Sequence, residues 1–336
     1  MARPSEEFLL AWSSLSGADP KPGWQAIGLP AAGPIELRAG RRSPDNAEAV
    51  LMGFPSARLA AADKLPEGQG FAVERADPEG NGNLWLALTR KSAGSAELFA
   101  AMACDVVGAL DDASSMGADE SKLLRVFIRR VGAWQEFMRK GTQVLGPEAE
   151  LGLVGELAVL LEALEAGAAP EAVVGGWIGP LDGPQDFHIG SGALEAKTTL
   201  SPSGFAARIG SLQQLDDSQR APLYLAAVRL RLAEKGRNLP GMVKSARDAV
   251  FGDAEAARLL EERLLAAGYL DAHQDLYIRR FAISECRAVE VGQGFPRLTP
   301  SSVPAGIVWA AYEVNVDAAQ ANRIDIKSAL KTMGAL

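Results

Sequence analysis

Between Pro184 and Lys197 the chain reads Pro-Gln-Asp-Phe-His-Ile-Gly-Ser-Gly-Ala-Leu-Glu-Ala-Lys, and this stretch narrows the fold more than any other. Residues 185–189 and 193–199 are β-forming runs too short for helices, and Gly190, Ser191 and Gly192 between them supply turn conformations. Glu195 and Lys197 are two residues apart, so on a strand they leave the same face. A two-residue turn sets Asp186 opposite Glu195 (turn Gly190-Ser191) or opposite Lys197 (turn Ser191-Gly192). Both registers place all three side chains on one face. A three-residue turn sends Asp186 to the other side, because a slip of one residue exchanges faces. Two carboxylates and an ammonium on one side of a hairpin are what a divalent cation and an activated water require.

The rest of the chain excludes more than it specifies. At 336 residues, 48% hydrophobic and 23% charged, it has the composition of a folded protein of about two domains. No apolar run approaches the roughly 18 residues that cross a bilayer, and the N-terminal Met-Ala-Arg-Pro-Ser-Glu-Glu lacks a signal-peptide pattern. A cytoplasmic protein without a membrane partner is expected. Cys104 and Cys286 are far apart, so neither a disulfide framework nor a zinc site is indicated, and His188 and His273 are too few for a histidine cage. There is no phosphate-binding Gly-x-x-x-x-Gly-Lys loop and no Gly-x-Ser-x-Gly elbow.

The net charge is −8, yet nine basic residues lie between Lys197 and Arg247 against three acids, Asp216, Asp217 and Glu234. A basic stretch just downstream of an acidic site suits an enzyme that holds phosphates beside a cation. Solvated surface arginines account for the same pattern equally well.

In chain order, residues 1–95 read as an α+β module: one helix carrying Phe8, Leu9, Trp12 and Leu15 at helical spacing, then five short strands separated by turns. Residues 96–145 read as a helical connector with helices over 95–110 and 119–138. The second has a core stripe through Leu123, Phe127, Val131 and Trp134 and a solvated back bearing Arg125, Arg129 and Arg130. Residues 146–336 form the third segment. It opens on a helix over 147–166, with Pro147 in its first turn and Glu148 and Glu150 favouring the positive end of the dipole. Glu156 falls inside the apolar arc of that helix, a costly place unless an arginine or a metal meets it, and Gly152 and Gly155 allow close approach beside it. A strand over 172–178, the hairpin, a helix over 205–219 and a strand over 222–232 complete an α/β core. Helices over 242–250 and 253–267, strands over 276–291 and 306–316, and a weak helix within 318–336 follow.

An acid, any residue, then lysine occurs four times: Asp19-Pro-Lys21, Glu120-Ser-Lys122, Glu195-Ala-Lys197 and Asp325-Ile-Lys327. Only the third follows a strand and turn with an aspartate nine residues upstream and an acid-bearing helix before that. In this setting Pro184-Gln-Asp186, Glu195-Ala-Lys197 and Gly155-Glu156-Leu157 resemble the PD-(D/E)XK nuclease superfamily, with Gln185 intervening where proline and aspartate are ordinarily adjacent. More closely, the chain is similar to bacterial PD-(D/E)XK motif proteins of unknown function. The similar segments are Gly-Leu-Val-Gly-Glu-Leu (152–157), Trp-Ile-Gly-Pro (177–180), Gln-Asp-Phe (185–187), Leu-Glu-Ala-Lys-Thr (194–198), Ser-Leu-Gln-Gln-Leu (211–215), Ala-Gly-Tyr (267–269) and Phe-Pro-Arg (295–297).

The resemblance implies a restriction-endonuclease-like α+β core of helix, three-stranded meander, helix and strand, flanked by the N-terminal module and C-terminal helices and strands. It implies Mg²⁺, with Mn²⁺ as a substitute, held by Asp186, Glu195 and the Ala196 carbonyl, and Glu156 holding a water of that ion or a second ion. Lys197 would orient or deprotonate the attacking water, or stabilise phosphorane charge, since a lysine beside a metal can titrate lower than in water. DNA is the implied substrate, and other subunits of a restriction or phage-defence system the implied partners. Gln214 would touch water or phosphate, or only cap its helix. His188 would neighbour the site, or be a strand histidine satisfied locally. Thr198 and Thr199 read as β-formers with a lesser chance of phosphate contact. A non-catalytic subunit binding nucleic acid or protein on an inherited nuclease fold is the alternative function, and a plain Glu195–Lys197 salt bridge in a structural protein is a third.

Overall fold

A computed structural model describes residues 5–16, 23–59, 64–80, 82–140, 144–292 and 294–336. Asp19-Pro-Lys21 lies outside them. The chain divides into two compact units, Met1–Thr142 and Gln143–Leu336. Among the described residues no helix is long and apolar enough to cross a membrane.

The first unit begins with α1 (Ser5–Leu15), which buries Phe8 and Trp12 and ties itself to the sheet by a hydrogen bond from Trp12 Nε1 to the Ala49 carbonyl, 2.9 Å. Five strands follow, β1 (Trp24–Ala32), β2 (Ile35–Arg42), β3 (Ala47–Phe54), β4 (Phe71–Ala76) and β5 (Leu84–Arg90), in one antiparallel sheet of order β1-β2-β3-β5-β4. Then come α2 (Ala96–Ser115) and α3 (Glu120–Lys140). The expected back of α3 is only partly solvated: Arg130 is buried, and its Nε and the Trp134 indole each donate at 2.6 Å to Asp105 Oδ2. The apolar part of a long side chain can cross a core if its charge finds a partner there.

In the second unit α4 (Pro147–Glu165) leads to α5 (Pro170–Gly176). A strand was expected here, but Pro170 sits in the first turn after an extended Ala169 with Glu171 behind it, which starts a helix. Of the strand expected over 172–178, only Trp177 pairs like a strand residue, in an isolated bridge to Phe187. The strands β6 (Phe187–Ile189) and β7 (Gly192–Thr199) form the hairpin. Residues 205–219 are not helical. Phe205, Ala207 and Ile209 alternate inward along β8 (Ala206–Ile209), which pairs antiparallel with β11 (Tyr312–Asn315), a partner a hundred residues away.

The next strand, β9 (Leu223–Arg237), lies parallel to β7. After α6 (Leu239–Val250) and α7 (Ala254–Ala266) comes a 3₁₀ turn (Asp271–Leu276), and of the strand expected over 276–291 only β10 (Phe281–Glu290) forms, with residues 277–280 outside it. The short β12 (Arg323–Ile324) precedes α8 (Ile326–Thr332), whose N-cap is Asp325; the fourth acid-x-lysine is thus a cap. The main sheet runs β12-β10-β9-β7-β6. Its centre is apolar on both faces. On β9, Tyr224, Ala226, Val228 and Leu230 meet the helical layer, while Leu223, Leu225 and Ala227 meet a second core under the β8–β11 ribbon.

Candidate active site

The hairpin register is Phe187 to Leu194, His188 to Ala193 and Ile189 to Gly192, so the turn is the two-residue Gly190-Ser191. Gly190 has φ +57°, a conformation that favours glycine. The turn is held from outside. The Ser191 amide donates to the Met333 carbonyl (2.9 Å), Arg220 Nη1 to the Gly190 carbonyl (2.9 Å), and the Ala193 amide to the Pro222 carbonyl (3.0 Å).

One step further in this register Asp186 comes opposite Glu195. The ladder has ended there, and the Ala196 amide donates instead to Asp186 Oδ2, at 2.7 Å. The Asp186 carbonyl accepts from the Ile178 and Gly179 amides at 2.8 and 3.0 Å, which anchors this bend from both sides. Along β7, Leu194 and Ala196 join the helical-layer core and Ala193 the other core, so Glu195 and Lys197 lie with Ala193 by alternation.

Glu195 is 1% exposed. Lys197 Nζ stands 2.7 Å from its Oε1, an ion pair, but the approach is not directed as a hydrogen bond, and neither Glu195 oxygen has another protein partner. Lys197 Nζ also lies 3.5 Å from Gln214 Oε1, whose firmer donor is the Gly210 amide at 2.7 Å.

The fourth group comes from α4. A Cβ on Gly155 would overlap Thr198 Oγ1 and stand 3.0 Å from Thr198 Cβ, so only glycine lets the helix approach β7 this closely. Gly152, in contrast, has open space beside it. The close approach carries Glu156 to the site. Its Oε2 accepts from Trp177 Nε1 at 2.7 Å. A Cβ on Gly179 would stand 2.5 Å from Asp186 Oδ1 and 3.3 Å from Glu156 Oε2, so the bare Gly179 leaves a cradle flanked by both carboxylates.

Electrostatics tie the four groups together. Burial, with Asp186 adding to it, pushes the Glu156 carboxyl up to about 8 against the pull of Trp177 and Lys197. Burial likewise raises Asp186, although Lys197 and the Ala196 amide work the other way. Glu195 is raised well above the ordinary carboxylate range by burial and then by Asp186. Burial depresses the Lys197 ammonium, but Glu195, Asp186 and Glu156 outweigh it and the net shift is upward. Without a metal, the three carboxylates hold the proton on.

When all four ionise, three carboxylates face one ammonium and two negative charges remain in a dry place. A divalent cation matches that excess. The unbonded oxygens of Glu195 and the cradle at Gly179 fit a hard, oxygen-seeking ion. Among the described residues no three His, Cys, Asp or Glu side chains stand as a ready-made cage, and Glu195 is engaged by Lys197.

Gln214 therefore touches Lys197 from a turn rather than from a helix. His188 is satisfied locally: its Nε2 lies 2.8 Å from Gln185 Oε1, and burial and Arg220 lower its pKa. Thr198 packs on Gly155, and Thr199 Oγ1 accepts from the Ser201 amide at 3.1 Å. In the sequence, Trp177, Gly179 and Gln185 carry no chemical signature of their own. Trp177 orients Glu156, Gly179 opens the cradle, and Gln185 links His188 to the Gln213 carbonyl (2.8 Å). The only signal for them was their place in the motif segments 177–180 and 185–187. Much of the basic stretch is neutralised, Arg229 by Glu285 and Asp317, Lys244 by Asp248, and Arg247 by Glu261 and Asp271; Arg208, Arg231 and Lys235 remain exposed.

The α+β architecture with its acid-bearing helix and mixed sheet is that of a restriction-endonuclease-like protein. The chain belongs to the family described as "Putative PD-(D/E)XK family member, (DUF4420)", whose model matches residues 9–317. No curated protein and no solved structure matches it.

Proposed function

We propose that this protein is a cytoplasmic, metal-dependent DNA endonuclease serving a restriction or phage-defence system, with residues 146–336 as the nuclease domain and 1–95 and 96–145 as its N-terminal module and helical connector. One observation carries the reading: Glu195 is fully buried with neither oxygen in a directed hydrogen bond, beside Asp186, Glu156 and Lys197. A buried carboxylate left so is costly in a merely structural role.

Asp186, Glu195 and the Ala196 carbonyl would hold Mg²⁺ or Mn²⁺, with Glu156 across the cradle. The Ala196 carbonyl suits this because the N–H and C=O of a strand residue point to the same side, and this N–H points to Asp186. When bound, the cation supplies charge neutralisation and polarisation of the scissile phosphate. Lys197, held protonated, donates from Nζ to the attacking water or to phosphate oxygens as their charge grows. Gln214 Oε1 restrains that ammonium. Trp177 fixes Glu156 Oε2, which leaves Oε1 to accept a proton from water.

The test is plasmid cleavage in Mg²⁺, in Mn²⁺ and in EDTA by the wild type, Lys197→Ala and Asp186→Ala. Metal-dependent cleavage lost in both variants is expected; cleavage unchanged in both rejects the assignment. The closure of Lys197 on Glu195 favours a second reading, a non-catalytic subunit binding nucleic acid or protein on the same fold. On that reading Ca²⁺ leaves the melting temperature of wild type and Glu195→Ala alike, whereas a metal site raises it in the wild type alone.

A further inference from the structure

In the first unit a pocket of about 400 Å³ opens between the segment after β3 and the outer face of α3. Its floor is apolar, Leu59, Leu124 and Ile128, and its rim is cationic, Arg58, Arg125 and Arg129 with Ser121. Residues 121, 125 and 129 are successive i, i+4 neighbours, so they line one face of the helix. The three guanidiniums are exposed. Arg58 donates to the Ala57 carbonyl, and among the described residues none of the three holds a carboxylate. The neighbouring acid, Glu120, is turned to the Ser56 and Ala57 amides at 2.6 and 2.7 Å.

These arginines differ from six others of the unit. Arg38, Arg41, Arg42, Arg90, Arg130 and Arg139 each hold a glutamate or aspartate. In a chain of net charge −8, acids to neutralise three more are plentiful, yet among the described residues no carboxylate pairs with the positive charge at this concavity. Planar guanidiniums converging over an apolar floor suit phosphate oxygens, with the sugar or base face lying on Leu124 and Ile128.

We propose that this pocket binds the phosphodiester backbone of DNA, giving the N-terminal module a DNA-holding role at a site separate from the acids of the second unit. The inference is tested with the full chain in EDTA, so that binding is read without cleavage: a chain that binds here but never cuts supports it while sinking the catalytic reading, and the converse also holds. Fluorescence anisotropy of a labelled duplex is measured across a salt series for the wild type, Arg125→Ala/Arg129→Ala and Arg58→Ala. The expected result is affinity at least tenfold weaker in the double variant, with the slope of log K against log salt reduced by about 2, since each lost phosphate contact removes about 0.9. Circular dichroism melting should be unchanged, because these side chains are exposed. Equal affinity and slope in wild type and double variant overturn the proposal. So does a wild type that does not bind DNA, and so does a pocket that takes a free nucleoside triphosphate, displaced by Arg125→Ala/Arg129→Ala, without taking the duplex.

Discussion

The Lys197 ammonium stands 2.7 Å from Oε1 of Glu195, two positions away on β7, and among the described residues it is the one cation beside an otherwise unbonded buried carboxylate. Removing it strands that charge. Lys197→Ala is expected to destabilise the metal-free protein by about 3–5 kcal/mol and to abolish cleavage, whereas Glu195→Gln abolishes cleavage while leaving stability equal or higher. Urea unfolding in EDTA checks both, and a Glu195→Gln variant less stable than Lys197→Ala contradicts the account.

The raised carboxyls fix the sign of the pH dependence. Glu156 titrates near 8 in the folded chain and near its ordinary 4.5 when unfolded. Below the ordinary range both states are protonated and the stabilisation is complete. Above it the unfolded chain releases a proton that the folded chain keeps, so stability falls with rising pH until about 8. Asp186 and Glu195 shift the same way. Metal-free protein should therefore be more stable near pH 5 than near pH 8, by an amount on the order of a few kcal/mol, with a shallower slope in Glu156→Gln. Added Mg²⁺ should stabilise most at the alkaline end, because its ligands must give up protons.

Helix α4 reaches the sheet only because residue 155 lacks a side chain. Gly155→Ala should cost about 1–3 kcal/mol through the clash with Thr198 and lower cleavage by displacing Glu156. Thr198→Ala should relieve part of that loss, giving a coupling of at least about 0.5 kcal/mol in a double-mutant cycle. Additive effects would mean that the two do not meet.

The hairpin turn is fastened by Arg220 and by the Met333 carbonyl, which lies beyond the residues matched by the family. Arg220→Ala removes the charged donor shared by two carbonyls, those of Gly190 and Gly192, worth about 1.5–3 kcal/mol. Its larger effect is expected on the site: faster amide exchange across residues 187–194 and weaker Mn²⁺ binding by calorimetry. Unaltered exchange and Mn²⁺ affinity would show that the turn holds itself.

What the sequence determined by itself was local. Alternation and the Gly190-Ser191-Gly192 turn signal are properties of a dozen contiguous residues, so the hairpin and the shared face of Glu195 and Lys197 were legible, as were the five N-terminal strands and the long helices, while the turn's length and register were left to the fold. Glu156 was legible as an acid on an apolar arc, and Gly152 and Gly155 as places of close approach, of which only Gly155 is one. What the tertiary structure decided rests on partners distant in the chain. Residues 205–219 became β8 and a turn because β11 offers a ladder that no local window contains, and Trp177 reaches Glu156 only once α5 ends where it does. The upward shift of Lys197 needed three carboxylates from α4, the bend before β6 and β7 gathered in one dry place. Dihedral preference and side-chain period are written residue by residue, whereas dielectric and charge proximity exist only after the chain has closed on itself.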